Sequence, residues 1–141
     1  MSLFKVFDIA GSAMSAQSLR LNVTASNMAN ADSISSSVGG TYRARQPVFA
    51  AMYDDANMNF NDEADAIGVQ VQGIVQSDAP IRSEYQPGNP MADDQGYIHL
   101  PNVNMVEEMA NMISASRSYQ SSVEVANAAK QMLLRTLSLG Q

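Results

Sequence analysis

The chain predicts a mainly α fold with a small β segment, in which long N- and C-terminal helices pack as a coiled-coil-like pair around a short β-rich middle region. Three observations carry this. All five prolines (47, 80, 87, 90 and 101) and six of the eight glycines fall between residues 33 and 101. Both flanking stretches show apolar residues at seven-residue repeats, the signature of an amphipathic helix with a narrow seam. Residues 67–75 (IGVQVQGIV) alternate apolar with polar or glycine positions, the period of a strand. The punctuation by proline and glycine divides the chain into 1–32, 33–101 and 102–141.

In the first helix Phe7, Met14, Leu21 and Met28 are spaced by seven, with Leu3, Phe4, Ala10 and Ala25 on the adjoining face. Only Gly11 weakens it, by about 1 kcal/mol relative to alanine. Asn27 and Asn30, near its end, suit either a local cap or a contact across to a second helix. The run Ser33 to Gly40 reads as a flexible connector. Residues 41–49 (TYRARQPVF) read as extended, with Pro47 keeping them out of a helix. Residues 54–66 (DDANMNFNDEADA) read as a solvated loop, and Pro80 to Pro87 as the pairing partner of the 67–75 strand. Gly88-Asn89-Pro90 and Asp93-Asp94-Gln95-Gly96 are turn signals. Tyr97 to Pro101 leads into the last helix.

Residues 102–138 contain neither proline nor glycine. Met105, Met109, Met112, Tyr119, Val123, Ala126, Leu133 and Leu137 recur at steps of three and four, with Ser116 and Lys130 in the two remaining seats. A helix of that length runs about 55 Å, and Gly140 is its natural stop. Such a stripe has no way to bury itself, so it needs a partner. The first partner is the matching seam at the other end of the chain, in an antiparallel or side-by-side pair.

Composition narrows the function. The net charge of −6 is uneven: residues 1–30 carry +1, residues 31–101 carry −7, and residues 102–141 are neutral. Near-neutral helices can pack beside one another without repulsion, and an acidic middle argues against nucleic-acid binding. The absence of cysteine removes disulfides and thiolate chemistry. Ten methionines supply adaptable bulk for imperfect seams. No run of 18 apolar residues predicts a membrane span, and Asp8, Gly11 and Ser12 interrupt any secretory-signal core. Any exit from the cytoplasm is therefore expected to use no cleaved signal.

Catalytic chemistry finds no foothold. His99 is the single histidine, which leaves one imidazole to build any metal or Ser-His-Asp site. Asp93 to Gly96 lacks the spaced ligands and terminal Glu of a calcium loop and reads as a turn. Asp62, Glu63 and Asp65 lie in an acidic run without an apolar pocket to raise a pKa. Gly39-Gly40 has no following Lys and helix to hold phosphate. No cofactor, metal or enzymatic activity is expected.

Residues 21–31 (LNVTASNMANA) resemble the N-terminal motif of the bacterial flagellar rod, hook and hook-associated protein family. Met109 to Ala115, Arg117-Ser118-Tyr119-Gln120, Val123-Glu124-Val125, Lys130-Gln131-Met132 and Leu137 to Gln141 resemble its C-terminal motif. Tyr42-Arg43-Ala44, Pro47-Val48-Phe49 and residues 97–104 (YIHLPNVN), with the serine-rich stretch before Tyr42, are similar to the proximal-rod branch of that family. The resemblance implies a structural subunit that polymerises helically in the rod crossing the periplasm and transmits motor torque to the hook. It implies subunit packing through Phe7, Met14, Leu21, Asn27, Met28, Asn30, Met105, Met109, Met112, Tyr119, Val123, Ala126, Leu133 and Leu137. The partners it implies are other copies of the chain, sister rod proteins of the FlgB, FlgF and FlgG types, a rod-base adaptor of the FliE type, and the flagellar type III export apparatus. Periodicity alone equally fits a coiled-coil adaptor of a secretion apparatus that never polymerises.

Overall fold

A computed structural model describes residues 3–53 and 66–139 of the chain. The element order is α1 (Leu3–Ala29), a single 3-10 turn (Val38–Gly40), β1 (Arg45–Tyr53), β2 (Ala66–Gln76), β3 (Arg82–Tyr85), β4 (Tyr97–Leu100) and α2 (Met105–Leu139). The two long helices pack together, and the strands form two antiparallel two-stranded sheets, β1–β2 and β3–β4. The expected loop lies outside the described residues except for Ala66, which opens β2, and so do the Asp62, Glu63 and Asp65 acids and Gly140.

Each helix end has a local cause. At the end of α1 the Asn30 Nδ2 donates to the Ser26 carbonyl at 2.8 Å, and Ser33 donates to the Asn30 carbonyl from both its amide and its hydroxyl. Asn30 is thus a local cap. α2 starts after Pro101 with Asn104 as N-cap, its Oδ1 accepting from the Val106 N–H at 3.1 Å. Glu107 and Glu108 in the first turn complement the helix dipole.

Strand pairing differs from expectation. Residues 80–87 do not pair with the 67–75 strand; β2 pairs with β1, and β3 pairs with β4. The β3–β4 register sets Arg82 opposite Leu100, Ser83 opposite His99, Glu84 opposite Ile98 and Tyr85 opposite Tyr97. The physical reason is local. The turns that return the chain between Tyr85 and Tyr97 are themselves hydrogen-bonded, with the Gln86 N–H donating to the Gly96 carbonyl and the Asp93 N–H to the Tyr97 carbonyl, both at 2.8 Å. Gly96 makes that return possible with φ 83°, a conformation that other L-residues rarely adopt.

The connector is also more ordered than a flexible linker. Ser37 caps its 3-10 turn by accepting from the Gly40 N–H at 3.1 Å, and the Thr41 hydroxyl donates to the Ser37 carbonyl at 2.8 Å. Ser35 and His99 exchange two backbone hydrogen bonds of 3.0 Å, which ties the connector to β4. The His99 ring then links three elements, with Nδ1 3.0 Å from the Ser83 hydroxyl and Nε2 3.5 Å from Asp93 Oδ2. The other Asp93 oxygen accepts from the Tyr97 and Gln95 amides at 2.8 and 2.9 Å.

The chain folds as two compact units. One comprises residues 1–19, 48–73 and 114–141. In it, the β2 edge is fastened to α1 by one hydroxyl: Ser12 Oγ accepts from the Val69 N–H at 3.1 Å and donates to the Ile9 carbonyl at 2.9 Å. Gly68 permits this approach, because a Cβ there would lie 2.7 Å from Ser12 Oγ. The other unit comprises residues 20–47 and 74–113. Its core is small, with Ala31, Ala44 and Val103 packed with Tyr42, and with Ile98 and Pro101 fully buried.

Two measurements check these fastenings. Gly68→Ala is expected to destabilise the chain by about 1–3 kcal/mol through overpacking, and adding Ser12→Ala should recover part of that loss in urea denaturation. The Tyr97 amide, helped by the Gln95 amide and the His99 ring and opposed by desolvation, holds the Asp93 carboxyl below its ordinary range. A lowered carboxyl contributes stability that is full above the ordinary value and is lost as pH falls through the folded value. Hydrogen-exchange protection of the Tyr97 amide should therefore be flat at neutral pH and fall in acid, and Asp93→Asn should flatten that fall.

Candidate assembly surface

The helix pair is closed by small side chains. In one unit Arg20 Nη2 donates to Asn111 Oδ1 at 3.1 Å; in the other, Val6, Ile9, Ala10 and Ala13 line a groove of about 280 Å³ with Ser121, Ser122 and Val125. The first contact puts late α1 against early α2 and the second early α1 against late α2, so the pair is antiparallel. The buried positions of α1 are Ala10, Ala16, Val23, Thr24 and Asn27; those of α2 are Glu108, Ala115 and Ala129. Glu108, Ala115, Ser122 and Ala129 are spaced by seven. Alanine and serine let two helices approach closely, so the seam lies on a face rotated from the stripe of large residues.

That rotation decides where the sequence-derived packing residues lie. Phe7, Met14, Leu21 and Met28 are half-buried on α1, as are Asn30 just past its end and Met112, Val123, Ala126 and Leu133 on α2. Met105, Met109, Tyr119 and Leu137 are exposed, Leu137 to 68%. Asn27 alone of the set is buried. The seven-residue spacing of Ala115, Ser122 and Ala129 was the signal for the most covered line of α2. It is easily passed over, because small residues carry little hydropathy.

Asn27 neither caps its helix nor reaches the second one. Its Nδ2 donates to the Arg45 carbonyl at 2.8 Å, and its Oδ1 accepts from the Arg45 N–H at 2.9 Å and the Tyr42 hydroxyl at 2.8 Å. A side-chain amide has the donor and acceptor of a peptide group, so it stands in for a neighbouring strand. Asn102, just before α2, does the same for the adjacent residue: Oδ1 accepts from the Ala44 N–H at 2.8 Å, and Nδ2 donates to the Ala79 carbonyl at 2.9 Å. The Ala44 carbonyl accepts from Ser77 N–H at 2.8 Å. Every backbone polar group of Ala44 and Arg45 is thereby partnered, and the guanidinium of Arg45 lies over the Tyr42 ring at 5.3 Å. Asn102 was not singled out from sequence; an asparagine between Pro101 and a helix start reads simply as a cap.

Burial across the chain is unusual in kind. The buried apolar side chains are Ala10, Ala16, Val23, Ala31, Ala44, Ile98, Val103, Ala115 and Ala129. Among the described residues no Leu, Met, Phe or Tyr is buried, although leucine, phenylalanine and methionine are ordinarily among the most buried types. The chain therefore keeps its largest apolar groups on or near its surface, along both helices.

Comparison with known proteins fits this arrangement. A family model described as flagella basal body rod protein matches residues 7–33, which includes Asn27 and Asn30. A second, flagellar basal body rod FlgEFG protein C-terminal, matches residues 94–139 and so spans β4, Asn102 and α2. Such a pair of terminal matches defines the class of flagellar axial rod proteins. Curated relatives named flagellar basal-body rod protein FlgC are 52% identical in Escherichia coli O157:H7, 53% in Yersinia enterocolitica and 43% in Buchnera aphidicola from Acyrthosiphon pisum, each over the full length of both chains. The chain belongs to the FlgC family of flagellar basal-body rod proteins.

Asn27→Ala strips partners from the Arg45 amide, the Arg45 carbonyl and the Tyr42 hydroxyl. It is expected to cost about 3 kcal/mol in urea denaturation, each orphaned group costing about 1–3 kcal/mol with partial recovery by water. Asn27→Asp keeps the acceptor but sets a buried carboxylate oxygen against the Arg45 carbonyl, so it should be destabilising as well.

Proposed function

We propose that this chain is a structural subunit of the flagellar basal-body rod, a protein that works by assembly and not by catalysis. The observation that carries this is the inverted burial: alanines close the helix pair while the methionines, leucines and tyrosines remain for neighbours. A free-standing domain gains stability by burying such groups, about 1.5–3 kcal/mol each. Leaving them outside is favourable only where other subunits cover them. Nothing in the family matches supports the non-polymerising adaptor.

In this reading residues 1–32 and 102–141 supply the axial helices and residues 33–101 an outer region. Phe7, Met14, Leu21, Met28, Met105, Met109, Met112, Tyr119, Val123, Ala126, Leu133 and Leu137 pack against neighbouring subunits. Asn27 and Asn30 serve the same packing indirectly, by fixing the end of α1. Contacts that do not close into a ring generate an open helical filament, and long antiparallel helices give it the stiffness needed to carry torque toward the hook. Other copies of the chain and sister rod proteins of the FlgB, FlgF and FlgG types are its neighbours, with a FliE-type adaptor at the rod base. The rod crosses the periplasm, and subunits reach it through the flagellar type III export apparatus without a cleaved signal. No helix among the described residues is long and apolar enough to cross a membrane.

Leu137→Asp tests the reading directly, because that side chain is exposed and its loss should shift the stability of the isolated chain by no more than about 0.5 kcal/mol. Cells carrying it, or Leu133→Asp, should make subunits that are absent from purified basal bodies and should not swim. Normal rods containing either variant would overturn the assignment.

A further inference from the structure

The β3–β4 hairpin carries a surface that the helix-based assembly leaves unused. Alternation along the paired strands sets Ser83 and Tyr85 on the same face as Tyr97 and His99. The two tyrosine rings meet edge to face, with centroids 5.2 Å apart and planes at 60°, and are 64% and 41% exposed. They are held from below: Gly96 sits so close to Tyr85 that a Cβ would lie 2.9 Å from its ring, and the Gln86 N–H donates to the Gly96 carbonyl at 2.8 Å. Rigid, exposed aromatic rings lose little entropy when a partner covers them, which is why such residues dominate protein interfaces.

The surrounding charge says what kind of partner fits. From residue 83 to residue 101 there is no lysine or arginine, and Asp93 and Asp94 stand in the turn just before Tyr97. Asp93 is tied to the tyrosine face through the Tyr97 amide and the His99 ring, Asp94 beside it is exposed, and Arg82 lies on the opposite face of the hairpin with Glu84. Tyrosine faces and carboxylates both attract a planar cation, and the guanidinium uses both at once, stacking on a ring while its N–H groups pair with carboxylate oxygens. The chain makes the first of these contacts internally, where Arg45 lies over Tyr42.

We propose that Tyr85 and Tyr97, with Asp93 and Asp94 at the adjoining turn, form a docking site for an arginine-bearing segment of a second protein. The site adds a contact to those of the helices and does not depend on them. The test is a titration of the intact chain with an acetylated, amidated tetra-arginine peptide, followed by the ring resonances of Tyr85 and Tyr97. Saturable shifts of both rings are expected, with affinity about tenfold weaker in Tyr85→Leu and in Asp94→Asn, and weaker for a tetra-lysine peptide. Small shifts spread over all acidic segments, unchanged in both variants, would mean screening by charge alone and would overturn the site. Absence of ring shifts would also overturn it, as would tighter binding of chitotriose than of the peptide, which would mark the face as a sugar platform.

Discussion

The structure depends on how two consecutive residues satisfy their backbone. Ala44 and Arg45 stand at the root of β1, where the chain leaves the connector and three of their four backbone polar groups are met by side chains. A buried peptide group without a partner costs about as much as a lost hydrogen bond. Here two asparagine side chains supply the missing strand: Asn27 from the last turns of α1 and Asn102 from just before α2. The ends of the two helices and the start of the sheet are thus held at one place. The small core of Ala31, Ala44, Val103 and Tyr42 lies at the same junction. With so little apolar volume buried there, directional hydrogen bonds and not packing define the geometry.

A second constraint follows from the alanine seam. Ala10, Ala16, Ala115 and Ala129 are the buried alanines of the two packed helices, and side chains this small bury modest apolar area. The large side chains flank the contact, half-covered or open. This division suits the proposed filament subunit, in which neighbours would cover the large side chains. Methionine is well matched to that use, because its unbranched, flexible side chain can fit neighbours that are similar but not identical.

The middle of the chain shows how polar groups do work that a larger domain assigns to hydrophobic layers. Ser12 fastens β2 to α1, Ser35 and His99 join the connector to β4, and Asp93 holds the turn that returns the hairpin. His99, which had no chemistry to perform in a sequence with one histidine, serves as a link among Ser83, Asp93 and Ser35. The serine-rich stretch is ordered for the same reason. Its hydroxyls bond to nearby backbone, which short polar side chains do readily in turns.

The sequence by itself determined the two helices, the β-rich middle and the flagellar family. Proline and glycine placement, seven-residue spacing and the residue 21–31 motif are local properties, and local geometry follows from them directly. Tertiary structure alone decided three matters. Strand partners depended on the hydrogen-bonded turns between Tyr85 and Tyr97, so Arg82–Tyr85 joined Tyr97–Leu100 and not residues 67–75, although the connection to those is shorter. The face of contact between the helices depended on how closely two backbones can approach. Ala10, Ala16, Ala115 and Ala129 are buried on the two helices, while Phe7, Met14, Leu21 and Met28 are half-buried. The role of Asn27 depended on a strand 18 residues further along the chain, and no local pattern reveals which backbone an amide will complete.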